Sequence, residues 1–272
     1  ATGTALALLV GVIILGGLKR IAGFTEKIVP FMSVFYLIGC LVVIVVHGGR
    51  LPQVFEAVFH EAFQFKAAAG GGAGFASAAV IQGISKGTFS NEAGLGSLAV
   101  LHGMSEGKGR LRQRQEAQKQ GMWAIFEVFF DTIIGCSLTA FLLLCVFPHN
   151  LTEKVDSLGG SGAVAAALAT RFGNAGGIVT AACMVLFAFA TILAWFYIGD
   201  QALGWLMRDV PQKRADKICI LYHGGYLASV FLGCVSRMEA VWAVSDIFNG
   251  LMAVPNLAAL VLLGRKVRRP ER

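Results

Sequence analysis

The chain has 272 residues, 56% of them hydrophobic and 14% charged, with a formal net charge of +7 and a mean hydropathy of +0.69. Soluble domains carry about 25% charged residues, so the composition excludes an ordinary soluble domain and requires an integral membrane protein with several spans. The positive charge does not point to nucleic acid, because the basic residues sit in short loops between apolar runs.

Residues 1–18 form the first apolar run. Ala1 enters it with no initiator Met and no basic n-region, unlike a signal peptide. Residues 1–272 are therefore expected to be the C-terminal portion of a longer membrane domain, with further helices upstream. Lys19-Arg20 and Glu26-Lys27 bound a short loop, and a second span is expected over 28–47. Residues 51–66 set Val54, Phe55, Val58, Phe59 and Phe63 at helical spacing beside Glu56 and Glu61, the pattern of an interfacial helix.

Residues 73–101 are about the length that crosses a bilayer, yet they hold Lys86, Gly87, Asn91, Glu92, Gly94 and Gly96. These residues disfavour an unbroken helix. Non-helical backbone survives at membrane depth only inside protein or against a wet cavity. The stretch therefore predicts a discontinuous helix carrying a small polar solute site, as found at the midplane of secondary transporters.

A basic loop is expected over 102–120 and a fourth span over 121–147. A polar connection over 148–174 is expected to hold a short Ala-rich helix at 162–171. A fifth span over 175–207, a basic loop over 208–217, and two last spans over 218–236 and 240–263 precede a tail at 265–272. The fold class is all-α, a polytopic transmembrane bundle of about seven spans. Most of the 23 Lys and Arg fall on one side of it: the loops at 19–27, 102–120 and 208–217, and the tail. The positive-inside rule makes that side cytoplasmic. The expected location is the plasma (inner) membrane, multi-pass, with the C-terminus in the cytoplasm.

Within the break, Ser90 and Asn91 offer a hydroxyl and an amide. Unwound backbone also frees N–H and C=O groups. Half-helix N-termini attract a carboxylate and freed carbonyls suit a cation such as sodium. That combination matches a zwitterionic amino acid plus a hard cation. The competing structural reading is a Gly-rich kink with Glu92 paired to Lys86.

Glu127 and Asp131 share one helix face in the fourth span, and intramembrane carboxylates point to function by default. Asp131, the deeper, reads as a cation ligand, a proton relay or half of a buried salt bridge. Glu127 reads as interfacial. Trp195 and Tyr197 could wall a small site, whereas a lone Thr191 ordinarily bonds back to its own helix. His223 reads as a hydrogen-bonded interhelical histidine ahead of a proton carrier. Asp246, Asn249 and Asn256 mark a polar, kinked last span and read as packing and gating elements. The six cysteines lie in apolar runs without a Cys-x-x-Cys pair, as small buried hydrophobes. Gly70 to Gly74 lacks the strand and the Gly-Lys-Ser/Thr of a phosphate loop. With no nucleophile–base pair visible, neither an enzyme nor a cofactor is expected.

Lys86 to Ser97, reading KGTFSNEAGLGS, closely resembles the signature of the alanine or glycine:cation symporters, the sodium:alanine symporter family. Gly17 to Ile21 with Glu26 to Pro30, Phe130 to Ile133, and Asp246 to Asn256 resemble the same family, in order along nearly the whole chain. The resemblance implies part of a LeuT-type inverted-repeat core and sodium-coupled uptake of alanine or glycine by alternating access. It implies that the partner broken helix lies upstream, and that this stretch alone does not transport. It makes Phe89, Ser90, Asn91, Ala93 and Gly94 substrate contacts, with Trp195 closing the site. Thr191 becomes a sodium ligand, with Asp131 a second candidate for the coupling ion. Lys86, Glu92, Asp246, Asn249 and Asn256 become structural or gating residues. The chain departs from the family pattern at Ala190, where a second hydroxyl is common, and at Lys86, where Arg is usual. The implied partners are alanine or glycine, Na+, the lipid bilayer and the upstream helices of the same transporter. The competing readings are a non-transporting membrane scaffold or subunit, and a transporter of this fold for another small solute coupled to protons.

Overall fold

The structure, a computed structural model, describes residues 10–12, 18–63, 83, 86–103 and 110–264. Its elements are α1 (Leu18–Val46), a 3-10 turn (Gly48–Arg50), α2 (Leu51–Phe63), α3 (Ser97–Gly103), α4 (Arg110–Phe129), a π-helical segment (Phe130–Cys136), α5 (Ser137–Val146), α6 (Leu151–Phe172), α7 (Asn174–Leu206), α8 (Gln212–Val235) and α9 (Met238–Gly264). Residues 86–90 form a further helical stretch. An all-helical result follows from the medium: in hydrocarbon a backbone must satisfy its own polar groups, which a helix does within one segment.

Among the described residues, five stretches are long and apolar enough to cross a membrane: Lys27–Val46, Arg114–Val146, Asn174–Leu206, Gln212–Val235 and Met238–Gly264. This makes the chain a multi-pass membrane protein. At 33 residues each, Arg114–Val146 and Asn174–Leu206 rise about 50 Å, beyond the ~30 Å hydrocarbon core. The outer faces of α8 and α9 stay apolar, with Leu221 75% and Val261 75% exposed. Apolar surface of this extent calls for a cover of lipid or protein. Of the two other expected spans, residues 1–18 lie outside the described residues except 10–12 and 18. The span 73–101 is described at residue 83 and from Lys86 on. The Gly70 to Gly74 run and the tail 265–272 lie outside the described residues as well.

Four connections differ from expectation. The short loop expected at 19–27 lies inside α1, which runs unbroken from Leu18 to Val46; Leu18, Lys19, Arg20, Ala22, Glu26 and Lys27 favour helix. The basic loop 102–120 is largely helix: α3 runs to Gly103 and α4 begins at Arg110. Arg, Gln, Glu, Ala and Lys in this segment are all strong helix formers. In place of a short helix at 162–171, α6 runs from Leu151 to Phe172, with a non-helical Gly159 (φ 74°) marking the joint of two helical pieces. It is a packed element, because Ala163, Val164, Ala167 and Leu168 are buried. The loop at 208–217 gives way to α8 at Gln212, with Pro211 as its N-cap residue; proline suits a helix start.

The chain divides into two compact units. Among the described residues, one comprises 18–63, 83 and 129–193, the other 10–12, 86–103, 110–128 and 194–264. The first is built around α1, whose Cys40, Val43 and Ile44 pack against Leu142 of α5 and Val164, Ala167 and Leu168 of α6. Met32 of α1 packs with Cys183 and Ala190 of α7. Arg50 donates to the Cys145 carbonyl at 2.8 Å, satisfying one of the last carbonyls of α5 with a cation on the favourable side of the helix dipole. The second unit holds the break, α3, nearly all of α4, the C-terminal part of α7, and α8 and α9.

Candidate functional site

Residues 86–90 are helical, 91–96 are not, and α3 resumes at Ser97. The local sequence explains the interruption. Glu92 has φ 58° and Gly96 φ 87°, both in the left-handed region that ends right-handed helices. The Asn91 side-chain oxygen accepts the Ala93 N–H at 3.1 Å, an Asx turn that competes with helix. Leu95 N–H donates to the Glu92 carbonyl at 3.0 Å to close the turn. Leu95 and Ser97 are buried, so the far end of the break is anchored in protein.

The last span grips this stretch at two places. Before the break, Lys86 Nζ donates to both carboxylate oxygens of Asp246 at 2.9 and 3.0 Å and lies over the Trp242 ring, 5.8 Å from its centroid. Inside it, Asn256 Nδ2 donates to the Ala93 carbonyl at 3.2 Å and the Gly94 carbonyl at 2.9 Å. These contacts correct the pairing of Glu92 with Lys86. Glu92 instead accepts the Ser97 hydroxyl at 2.6 Å, because its left-handed backbone turns it toward the start of α3, away from the preceding helix. The first residue of the second half-helix is thus engaged by a carboxylate of the chain itself.

Of the predicted substrate contacts, Phe89 and Ser90 fall in the last helical residues before the break, and Asn91, Ala93 and Gly94 fall within it. Trp195, in the same unit, is half-buried on α7. Asp131 and Thr191 belong to the other unit. Asp131 lies in the π-helical segment with Thr132, and Thr191 is exposed beside the buried Ala190. Asn249 is half-buried, three residues beyond Asp246 and so on the same side of α9. Glu127 meets His102 Nε2 at 3.1 Å, while His102 Nδ1 meets Gln120 Oε1 at 2.8 Å. That bond ties α3 to α4. His223 is interhelically bonded, to Asp200 Oδ1 at 2.9 Å, beside a ring cluster of Phe196, Tyr222 and Tyr226.

Sequence reasoning passed over Trp242, Ser97 and Asp200. Asp200 carried a usable signal, a carboxylate inside an apolar run. Trp242 and Ser97 carried none, since each matters only through what packs beside it. Among the described residues, no group of three or more His, Cys, Asp or Glu could hold a metal ion.

A many-span helical membrane domain with a polar, non-helical break held by a neighbouring span has the architecture of a membrane transporter. The family model described as the sodium:alanine symporter family matches residues 1–270, and the chain belongs to that family, which is one of transporters and not of enzymes. It is 37% identical to an uncharacterized transporter of Haemophilus influenzae, over 98% of the chain and 55% of that protein. It is 35% identical to a sodium/alanine symporter of Methanococcus maripaludis, over 96% of the chain and 54% of that protein. It is 33% identical to a probable sodium/glutamine symporter of Bacillus subtilis, over 94% of the chain and 50% of that protein. The chain thus spans about half the length of the curated relatives it matches.

Proposed function

We propose that the protein carries out sodium-coupled symport of a small neutral amino acid, alanine or glycine, across the plasma membrane by alternating access. One observation carries the reading: a non-helical run of backbone, 91–96, lies within a family-signature stretch, with donors and acceptors on its main chain and on Asn91. Such a break suits both charges of a zwitterion through main-chain donors and acceptors. In this reading Phe89, Ser90, Asn91, Ala93, Gly94 and Trp195 contact the substrate. Asp131 and Thr191 serve the sodium ion. Lys86, Glu92, Asp246, Asn249 and Asn256 hold and release the break. The core takes the LeuT-type inverted-repeat form, and the excess of Lys and Arg in 102–120, 208–217 and 265–272 puts those segments in the cytoplasm.

Sodium binding would stabilise the substrate-competent state, and the sodium gradient would then bias the two-way exchange. The test is labelled alanine uptake into proteoliposomes holding the complete protein, under an inward sodium or potassium gradient. Sodium-dependent accumulation is the expected result. Asn91→Ala should cut it by about tenfold or more, the equivalent of one hydrogen bond to a charged group. Accumulation that ignores sodium would sink the coupling, and unchanged uptake by the variant would sink the site. Because two relatives are named for alanine and for glutamine, the substrate screen includes alanine, glycine, serine and glutamine.

A further inference from the structure

Asn256 Nδ2 donates to two consecutive carbonyls of the break, those of Ala93 and Gly94. Two features of the chain make this approach possible. Gly96, at φ 87°, has no side chain, and a Cβ built there would stand 2.8 Å from the Asn256 amide oxygen. Pro255, immediately before Asn256, has no N–H for the Leu251 carbonyl, so α9 is loosened at the turn from which Asn256 reaches. The Ala93 contact is exposed and the Gly94 contact half-buried. A carbonyl oxygen has two lone pairs, and Asn256 uses one on each.

We propose that Asn256 is a positioning residue for the substrate's ammonium group, holding the Ala93 and Gly94 carbonyls so that their remaining lone pairs converge on it. This rests on the reading of the break as the substrate site. Carbonyls free of a helix otherwise swing with the peptide planes that carry them. Two of them pinned by one amide form a pre-set pair of acceptors, and pre-setting acceptors spares ordering entropy on binding. The amide donates only to carbonyls and does not itself touch substrate, so it acts on recognition of the amine. A sodium ion could use the same oxygens, and the two occupants differ in what they report. An ammonium pair of hydrogen bonds is weakened by N-methylation of the substrate; a sodium site is not.

The experiment uses the complete protein in proteoliposomes and reads KM and kcat for alanine, the alanine to N-methylalanine preference, and the half-saturating sodium concentration. Asn256→Ala should raise the alanine KM about tenfold, the scale of one or two lost hydrogen bonds, while kcat changes less than about twofold. The alanine to N-methylalanine preference should fall toward unity. Asn256→Leu keeps the size and removes the donor without adding charge, and it should give the same shift if Asn256→Ala is poorly folded. Asp246→Asn, which loosens the other anchor of the same helix, should leave the N-methyl preference alone. A loss of kcat with KM and preference intact would make Asn256 merely structural and overturn the inference. A shift confined to sodium would overturn the ammonium assignment. If Asn91→Ala abolishes uptake while both Asn256 variants keep the wild-type preference, the inference fails and the site reading stands. If Asn91→Ala leaves uptake unchanged, both fall together.

Discussion

Two of the interruptions of α-helical backbone among the described residues satisfy their freed groups differently. At 91–96 the helix stops outright, and the carbonyls of Ala93 and Gly94 are met by a side chain 162 or 163 residues away in sequence. At Phe130–Cys136 the helix does not stop but widens into π geometry. There the repair is mostly local: Thr139 donates to the Gly135 carbonyl four residues back at 3.0 Å, and one hydroxyl from α1, Tyr36, reaches Thr139 at 3.0 Å. A full stop exposes several backbone groups and needs another span to hold it. A widened turn mismatches few and needs a single hydroxyl. The first kind of interruption suits a site that opens and closes, since its partners sit on a separate helix. The second suits a fixed bend that presents Asp131 and Thr132 from a rigid segment.

Breaking the first region should have the largest effect. Gly96→Val puts a β-branched residue at φ 87° and into the Asn256 amide, costing about 3 kcal/mol or more. A lowered unfolding midpoint in detergent and loss of uptake are expected. In an Asn256→Ala background the cost should shrink; an unchanged cost would assign it all to backbone strain.

The second region should respond less. Tyr36→Phe removes the hydroxyl that meets Thr139, worth about 1 kcal/mol, and Thr139→Val removes the same bond together with the one to the Gly135 carbonyl, at about 1–3 kcal/mol. The double variant should be no worse than Thr139→Val alone, a coupling that a double-mutant cycle of detergent unfolding reads directly. Additive losses would mean that the two side chains do not act as a unit.

The smallest effect on stability is expected at the other anchor of the break. Lys86 and Asp246 are 53% and 45% exposed, so Lys86→Met or Asp246→Asn should cost no more than ~1 kcal/mol if the pair is hydrated. A loss of several kcal/mol, recovered by exchanging the two charges, would instead place the pair away from water. That result would sharpen the contrast between an anchor that holds through charge and one that holds through a neutral amide.

Five of the seven expected spans were readable from the sequence because burial in a membrane is written locally: an apolar run of sufficient length crosses whatever packs beside it. The break at 91–96 was readable for the same reason, since Gly94, Gly96, Asn91 and Glu92 act on the backbone within a few residues. Family membership was legible in the run from Lys86 to Ser97. Helix ends were less so. Arg110 to Gln120 and Leu151 to Gly160 read as loop because their polarity was weighed ahead of their helix-forming backbone, and in α6 the buried Ala163, Val164 and Ala167 hold the helix in place.

Tertiary structure alone chose the partners. Lys86 had two carboxylates within reach of argument, Glu92 six residues away and Asp246 160 residues away, and it pairs with the distant one. Sequence separation does not order such choices. Backbone direction does, and the left-handed Glu92 points its carboxylate at Ser97. The carbonyl contacts of Asn256 and the π register around Asp131 were equally hidden, because each depends on a fit of a few tenths of an ångström between helices. Composition and spacing determined that this chain crosses the membrane several times and carries a polar, non-helical break between two helical stretches. The packing of α9 against that stretch decided which side chains hold it, because hydrogen bonds and ion pairs are short-ranged and only the folded chain brings their ends together.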